Sequence, residues 1–235
     1  MIRLPERAHL MGRRSTALLG ALAIAMSGCG AATSPAPASP TATALPTAEP
    51  ATPSPVVGAN ALCATDQQPC PIEAGTYTTD PFEPPFTFTV DDGWSSDRVF
   101  ADGGQVSKGT GGFVWASGVT SGRVADEGVD IEPGVDGFLA HLERFDGFDL
   151  SEPTDTTIGG EPAVQIDVTT NDVQARGLYF VKEDAMNLSP GEKARFFLLE
   201  RDGTTVILIL EAYAATDFDA FVAATQPLIA SITWE

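Results

Sequence analysis

The sequence predicts an α+β domain, with helices packed on a mainly antiparallel β-sheet, that follows a disordered Pro/Ala/Ser/Thr tether. Two segments with continuously apolar centres, RFFLLE at residues 195–200 and TTVILIL at residues 204–210, surround an Asp-Gly pair, which is the preferred chemistry of a tight hairpin. A strand that is apolar at every position is covered on both faces, so layers must lie above and below this hairpin. Two segments with helical spacing of apolar residues, at 135–145 and from Thr216 onward, can supply those layers.

Residues 1–28 predict a lipoprotein signal peptide. A basic region precedes an apolar stretch that is too short to cross a bilayer core of about 30 Å as a helix. Two small residues then stand before Cys29, as in the bacterial lipobox, whose cysteine receives a diacylglyceryl group and becomes the mature N-terminus. Met26 stands where leucine is usual, and Met11 serves equally well as the first residue. The basic residues are Arg3, Arg7, Arg13 and Arg14.

The cysteine count supports lipidation of Cys29. Cys63 and Cys70 lie close together in an exported chain, which predicts a structural disulfide closing a small loop. Cys29 is then left over, and an anchor of diacylglyceryl and palmitate chains gives it a role. The alternative is a plain secretory signal, with Cys29 incidental. We therefore predict a chain on the extracytoplasmic face of a bacterial cell membrane, which touches the bilayer through its lipid only.

Residues 29–58 are predicted to be the lipidated cysteine and a disordered linker. The segment is almost wholly Ala, Pro, Ser and Thr, and Glu49 is its only charge, so it has nothing to bury. Frequent proline favours extended polyproline II at about 3.1 Å per residue, which gives a reach of roughly 90 Å. We interpret it as a spacer that lifts the domain off the membrane; a merely permissive leader is the alternative. The globular domain is residues 59–235.

The early part of this domain predicts strands. Residues 86–90 alternate phenylalanine or valine with threonine, and the Asp-Gly pair at 92–93 then turns the chain before Trp94. Residues 113–116 are a second strand candidate. Further along, residues 157–158 and 163–169 flank a Gly-Gly turn and predict a hairpin.

Two helices are predicted. In residues 135–145, apolar side chains share one face, and Gly147 ends the helix. The C-terminal helix opens at Thr216 with a capping box over residues 216–219. Pro227 lacks a backbone donor, so it is expected to kink or restart that helix. The residues that share the face of the first helix are Phe138, Leu139, Leu142 and Phe145.

Three segments resemble PsbP-like domains, which include LpqN-type bacterial lipoproteins. FTFTVDDGW (86–94) looks like their early strand and Gly-Trp turn, and IGGEPAVQIDV (158–168) is similar to their Gly-rich hairpin. FDAFVAATQPLIASITW (218–234), with the hairpin before it, looks like their closing strand and C-terminal helix. The resemblance covers most of residues 75–235 and implies the α+β fold.

The resemblance transfers no functional residue, because the family has no shared chemistry. The sequence also departs from it at two places. Asp91 stands where a proline is common, and residues 171–193 look like an enlarged connection.

Composition excludes several classes of function. The 235 residues include 13 basic and 32 acidic ones, a net charge of −19, and a nucleic-acid binder needs a basic face for the phosphates. The only histidine after the signal is His141, and no serine or cysteine nucleophile motif accompanies it. We expect a half-exposed, structural role for His141, no catalytic residues and no enzymatic activity.

Acidic residues and tryptophans are the remaining candidates for a site. Calcium takes oxygen ligands, and weak extracellular sites bind it, although the acidic stretch lacks EF-hand spacing and also reads as a solvated face. Trp94 and Trp115 are candidates to stack on a ligand, and core packing is the alternative. The acidic candidates, in the loop after the first helix, are Asp146, Asp149, Glu152 and Asp155.

Together these observations predict a membrane-tethered, extracytoplasmic binding or protein-interaction domain without catalytic activity. Its partner is expected to be an envelope protein or a small ligand, and no cofactor is expected. A calcium-binding domain is the first alternative, and a cell-surface hydrolase is the second.

Overall fold

The computed structural model describes residues 58–63, 69–171, 174–182 and 184–235. The predicted signal peptide, Cys29 and almost all of the linker lie outside these residues, so the predictions made for them stay predictions. Within the described ranges, no helix is long and apolar enough to cross a membrane.

The chain forms seventeen strands and two α-helices in the described part. The helices are α1 (Val135–Leu142) and α2 (Phe218–Ala230). The first eight strands are β1 (Asn60–Ala61), β2 (Cys70–Ile72), β3 (Gly75–Thr78), β4 (Phe86–Val90), β5 (Trp94–Phe100), β6 (Gly103–Lys108), β7 (Gly111–Ser117) and β8 (Ser121–Val124). The others are β9 (Glu127–Asp130), β10 (Phe148–Leu150), β11 (Thr154–Ile158), β12 (Glu161–Thr170), β13 (Ala175–Phe180), β14 (Ala185–Leu188), β15 (Lys193–Arg201), β16 (Thr204–Ala212) and β17 (Thr233–Trp234).

The central sheet has nine strands in the order β10-β12-β15-β16-β7-β6-β5-β2, and β11 pairs with β12 beside β10. Every pairing in it is antiparallel. The β15–β16 hairpin lies at its centre and turns at Asp202-Gly203, where both residues have positive φ, as a two-residue hairpin loop requires. Both strands are buried along their apolar runs, so the predicted hairpin and its two covering layers are confirmed.

One face of the central sheet is covered by α2 and by a smaller sheet in the order β1-β3-β4-β17. Phe86 and Phe88 of the smaller sheet meet Phe113 and Trp115 of β7 in a cluster of aromatic rings with centroids 5.6–6.3 Å apart. Phe221 of α2 packs directly over Gly111, because a Cβ at Gly111 would lie 2.8 Å from its ring. The glycine therefore lets the helix lie close to the sheet.

The opposite face is covered by α1 and by two hairpins, β8–β9 and β13–β14. Side chains of α1 and of the β13–β14 hairpin pack on Ile207 and Ile209 of the hairpin centre. The sequence predicts an enlarged connection at residues 171–193, and this connection contains the β13–β14 hairpin. A sheet between two such layers confirms the predicted α+β class with a mainly antiparallel sheet.

Two details of the predicted helices differ from the structure, and one of the two alternatives at Pro227 is excluded. The first helix ends at Leu142, and Phe145 stays buried in the following turn, where its N–H donates to the Leu142 carbonyl. No side-chain capping bond begins α2, which follows a 3-10 turn (Ala215–Asp217), so the predicted capping box is wrong. The second helix runs through Pro227 as one element and does not restart there.

Candidate functional site

The C-terminal helix α2 leaves an elongated groove along one flank, where residues of β3, β4, β5 and β6 line its other side. We call it the Trp94 groove. It consists of two adjoining depressions of about 370 and 670 Å³, which share Asp91, Trp94 and Ala224. The first also contains Lys108, Asp217, Ala220 and Phe221, and the second contains Gly75, Thr89, Pro227, Leu228 and Ser231.

Small side chains on α2 create the room for this groove. Ala220, Ala224 and Pro227 are exposed and recur at helical spacing, while Phe221 and Leu228 beside them are buried and hold the helix on the sheet. The groove therefore has an apolar floor that no large helix side chain covers.

Trp94 lies at the centre of the groove in a short polar network. The indole Nε1 donates to Asp91 Oδ1 at 2.9 Å, and Lys108 Nζ donates to Asp91 Oδ2 at 2.7 Å. The same Nζ lies over the indole, 5.9 Å from the ring centroid. The hydrogen bond from Lys108, and next the one from Trp94, lower the pKa of Asp91 below its usual value. Trp94 is only 3% exposed, since Lys108 and Phe221 lie against its ring.

Local sequence accounts for this arrangement. Strand β4 ends at Val90, and Gly93 adopts a φ of 92° in the turn, so that β5 begins at Trp94. Lys108 is the last residue of the neighbouring strand β6 and reaches back across the indole. Asp91, directly after β4, supplies the carboxylate that joins the two side chains.

A second carboxylate lies at the N-terminal end of the groove. Asp217 precedes α2 and is half-buried, yet its side chain makes no capping bond. Among the described residues it has no ion-pair or hydrogen-bond partner for its carboxylate. A carboxylate at this end of a helix is favoured by the helix dipole, and its oxygens have unused acceptor capacity.

A different groove, of about 510 Å³, lies along the opposite flank of α2, and we call it the neutral groove. None of its lining residues is charged. Its floor includes Ile158, Phe197 and Ile229. In the described part of the chain, its polar side chains make no hydrogen bond; they are Thr156, Thr157, Gln165, Gln226 and Thr233.

A buried carboxylate lies on the other face of the sheet. Glu211 of β16 is 6% exposed and accepts a hydrogen bond from Gln105 Nε2 at 3.0 Å. The two side chains meet over Gly112, where an added Cβ would lie 3.0 Å from both. Burial, and next the repulsion from Glu192, raise the pKa of Glu211 to about 7. Arg98 donates a hydrogen bond to Gln105 Oε1, so Arg98, Gln105 and Glu211 are joined by consecutive hydrogen bonds.

His141 is a core residue. It is 2% exposed, so the predicted half-exposed position is wrong. One ring nitrogen, Nε2, lies 2.6 Å from the carbonyl oxygen of Leu178, and burial lowers the pKa of the imidazole. Its other nitrogen has no hydrogen-bond partner within the described residues. The side chain opens onto neither groove.

The two tryptophan candidates have different surroundings. Trp115 is 1% exposed within the aromatic cluster, and Gly104 lies against its indole, so it cannot stack on a ligand from solvent. Trp94 lines the groove described above. Trp234, the third tryptophan, is half-buried and donates from Nε1 to the Ile158 carbonyl.

The acidic candidates are spread over a turn, two strands and a loop. Asp146 and Glu152 are exposed outside regular elements, Asp155 lies in β11, and Asp149 in β10 accepts a hydrogen bond from Asn171 Nδ2 at 2.9 Å. Among residues 58–63, 69–171, 174–182 and 184–235, there is no group of three or more carboxylate, histidine or cysteine side chains that could hold a metal ion.

Cys63 and Cys70 are joined in a disulfide, with their Cα atoms 6.5 Å apart. The bond connects the end of the described N-terminal segment to β2, at the edge of the central sheet. It lies apart from both grooves, which agrees with the structural role that we assigned to the pair.

Sequence reasoning missed two groups of this site and a buried carboxylate on the other face of the sheet. The alanines of α2 carried no signal beyond helix propensity, although their spacing at 220, 224 and 227 could have marked an uncovered helix flank. Asp217 was assigned to a capping box. Glu211 was left outside the predicted strand, which ended at Leu210.

No family model matches the sequence, and no curated protein matches it. Among solved structures, the chain is similar to a protein from Bacteroides thetaiotaomicron, with 9% identity, 64% of this chain covered and a TM-score of 0.33. The chain spans less than half of that protein, 45% of its length. It is also similar to cyanobacterial PsbP from Synechocystis, with 11% identity, 80% and 100% of the two chains covered and a TM-score of 0.43.

A further similar structure is LpqN, which is involved in cell envelope biogenesis of Mycobacterium tuberculosis. The identity is 16%, the match covers 71% of this chain and 90% of LpqN, and the TM-score is 0.37. The solved structures similar to this chain thus include PsbP and LpqN, the two kinds of protein that its sequence resembles.

Proposed function

We propose that this chain is a membrane-tethered, extracytoplasmic binding domain without catalytic activity, and that the Trp94 groove holds the apolar part of its ligand. The observation that carries the proposal is the groove itself. An elongated apolar depression with a few polar groups at its rim is the usual form of a binding site.

The shape of α2 supports this assignment. A helix that only closed a core would gain stability from large side chains along the flank that faces Trp94. Ala220 and Ala224 instead leave that flank open, and with Pro227 they expose apolar surface above the buried rings of Trp94 and Phe221 that a ligand can cover. Burial of apolar surface at about 25 cal/mol per Å² is the driving force that such a floor offers.

The predicted anchor supports the location. Lipidation at Cys29 and a proline-rich linker over residues 29–58 would hold the domain on the outer face of a membrane and at a distance from it. The strongly acidic domain would be repelled by anionic lipid, which fits a domain whose partner lies in the envelope and not in the bilayer.

The test fills one groove at a time. Ala224 and Ala230 are exposed alanines of α2, and they line the Trp94 groove and the neutral groove respectively. The mature chain, produced without lipid by the change Cys29→Ser, is titrated with the uncharged dye Nile red. We expect Ala224→Phe to weaken dye binding at least tenfold and Ala230→Phe to leave it within twofold. Equal effects of the two changes, or no binding by the unsubstituted chain, would contradict the proposal.

A further inference from the structure

The surroundings of Lys108 point to a positive charge on the ligand. We propose that the Trp94 groove binds a basic peptide segment, and that an arginine or lysine of this segment takes the place now held by Lys108 Nζ. This inference rests on the proposed function, because it names the ligand class of the same groove.

Lys108 occupies a cation site that the fold has already built. Its Nζ lies 2.7 Å from Asp91 Oδ2 and over the face of Trp94, 5.9 Å from the ring centroid. A carboxylate and an indole face are the two groups that attract ammonium and guanidinium ions in proteins. The hydrogen bond from Trp94 Nε1 orients the Asp91 carboxylate, so the site does not depend on Lys108 for its geometry.

The side chain that now fills the site is replaceable. Lys108 is 35% exposed and Asp91 is 77% exposed, and an ion pair this open to water contributes little to stability. Lys108 ends strand β6, next to the exposed turn at Gly109, so its side chain can turn outward into solvent without disturbing the strand. A ligand cation can then take its contacts with Trp94 and Asp91.

The charge balance at the groove favours a cation. Asp91 and Asp217 face a single basic residue, Lys108, along its length, and within the described part of the chain the Asp217 carboxylate has no hydrogen-bond or ion-pair partner. The chain as a whole carries a net charge of −19, which raises the local concentration of positively charged partners. An anionic ligand would meet repulsion from both carboxylates.

The length of the groove fits a peptide. Its residues on α2 run from Asp217 to Ser231, and fourteen steps of 1.5 Å give roughly 21 Å. An extended peptide advances about 3.3 Å per residue, so about six residues span this distance. Because alternate side chains of such a peptide point to opposite sides, one row can lie on Ala220 and Ala224 while basic residues of the other row point away from α2, toward Asp91.

The test compares two peptides of equal size that differ in charge only. Acetyl-Val-Arg-Val-Arg-Val-Arg-amide and its counterpart with citrulline in place of arginine are titrated calorimetrically into the unlipidated mature chain. We expect the arginine peptide to bind at least tenfold more tightly, and to lose affinity as salt is added. Asp91→Asn, which keeps an acceptor for Trp94 Nε1, should reduce the difference between the peptides to about twofold. Lys108→Ala should raise the affinity for the arginine peptide severalfold, because it removes the competing ammonium.

The control is Asp155→Asn, which removes an exposed carboxylate that lines neither groove. Equal losses for Asp91→Asn and Asp155→Asn would mean general attraction to an acidic surface and would overturn the inference. Equal binding of the two peptides, blocked by Ala224→Phe, would overturn the inference and leave the proposed function standing. Binding of neither peptide, together with no binding of Nile red, would overturn both. A self-associated chain that Ala224→Phe turns into monomers would show that a second copy fills the groove, which also overturns the inference.

Discussion

The two grooves beside α2 share one helix and one sheet face, yet their charges differ completely. The Trp94 groove contains two carboxylates and an ammonium group around an indole, whereas the neutral groove has no charged residue in its lining. In a chain with 32 acidic residues, an uncharged groove of this size is a distinct surface. The comparison teaches that charged side chains are concentrated on one flank of α2. That flank attracts cations, and the uncharged flank does not.

The strands beneath each groove explain the difference. The Trp94 groove lies where β4 and β6 end and β5 begins, beside exposed turns, and turns carry aspartate and lysine readily because both can be solvated there. The neutral groove lies on β11 and β12. There, threonine and glutamine side chains occupy positions in the sheet that α2 leaves uncovered. Threonine suits a half-buried strand without adding charge.

The largest expected effect comes from moving the helix that separates the grooves. Gly111→Ala would place a methyl group 2.3 Å from the Glu211 carbonyl oxygen and 2.8 Å from the Phe221 ring. Because neither the strand nor the ring can yield without shifting α2, we expect the free energy of unfolding to fall by about 3 kcal/mol. Urea unfolding measures this loss.

The matched control for that change is Gly128→Ala. Nothing lies within 4 Å of a Cβ at Gly128, so its unfolding free energy should change by less than about 0.5 kcal/mol. If Gly111→Ala and Gly128→Ala unfold at the same urea concentration, the close packing of α2 on β7 is not what defines the two grooves.

The next effect concerns pH and lies on the sheet face away from both grooves. The pKa of Glu211 is raised to about 7, so the folded chain holds a proton that the unfolded chain has already released. The stability that this group contributes is therefore lost as pH rises from about 4.5 to about 7, and it is constant above that range. Glu192, Asp97 and Arg98 act on the same carboxylate, and burial remains the largest cause.

Glu211→Gln removes this titration and keeps an acceptor for Gln105. Relative to the unsubstituted chain, the variant should gain about 2 kcal/mol of unfolding free energy between pH 4.5 and pH 7.5. Urea midpoints at several pH values measure the gain. Asp155→Asn is the control on an exposed carboxylate, and an equal gain there would contradict the assignment. Since Glu211 lies across the sheet from the Trp94 groove, peptide binding should not follow this pH dependence.

A smaller effect is expected at the hydrogen bonds that hold the C-terminal end of α2 beside the Trp94 groove. Ser231 Oγ accepts the Thr89 N–H at 2.8 Å and donates to the Leu228 carbonyl at 2.6 Å. Ser231→Ala should cost about 1 kcal/mol in thermal or urea unfolding, because the Thr89 N–H loses its partner. Thr216→Ala is the control, since Thr216 is exposed and makes no capping bond. A larger loss for Thr216→Ala would restore the rejected capping box.

The smallest effect is expected from calcium. Within the described residues, the four acidic candidates form no group that could hold a metal ion, and none of them lines either groove. They are Asp146, Asp149, Glu152 and Asp155. We expect melting curves of the mature chain in calcium and in chelator to superimpose within 1 °C or so, since a bound ion raises stability by mass action. A rise of several degrees with calcium would revive the calcium-binding alternative.

The fold was predictable where the determining interactions are local. The β15–β16 hairpin follows from Asp202-Gly203 and the apolar runs beside it, and these residues contact one another within a few positions of sequence. The end of α1 was not predictable in the same way. Phe145 continues the apolar spacing of that helix, but it packs from a turn, and only the tertiary structure decides which backbone carries it.

The site was predictable in part. Trp94 and Trp115 look alike in sequence, and what separates them is packing: Phe86 and Phe88 arrive from a different sheet and enclose Trp115. Glu211 ends an apolar run and reads as the exposed end of a strand. Its partner Gln105 lies 106 residues away in the sequence, so no local pattern indicates that the carboxylate is buried.

The most direct test of the account observes the indole N–H signals of the three tryptophans in a ¹H–¹⁵N correlation spectrum, assigned through single Trp→Phe changes. The arginine peptide is added to the labelled, unlipidated mature chain. We predict that the Trp94 signal shifts, because its hydrogen bond to Asp91 lies under the bound cation. The signals of Trp115, in the core, and of Trp234, whose indole borders Gly159 of the neutral groove, should stay in place. A shift confined to Trp234, or an unmoved Trp94 signal at saturating peptide, would contradict the account.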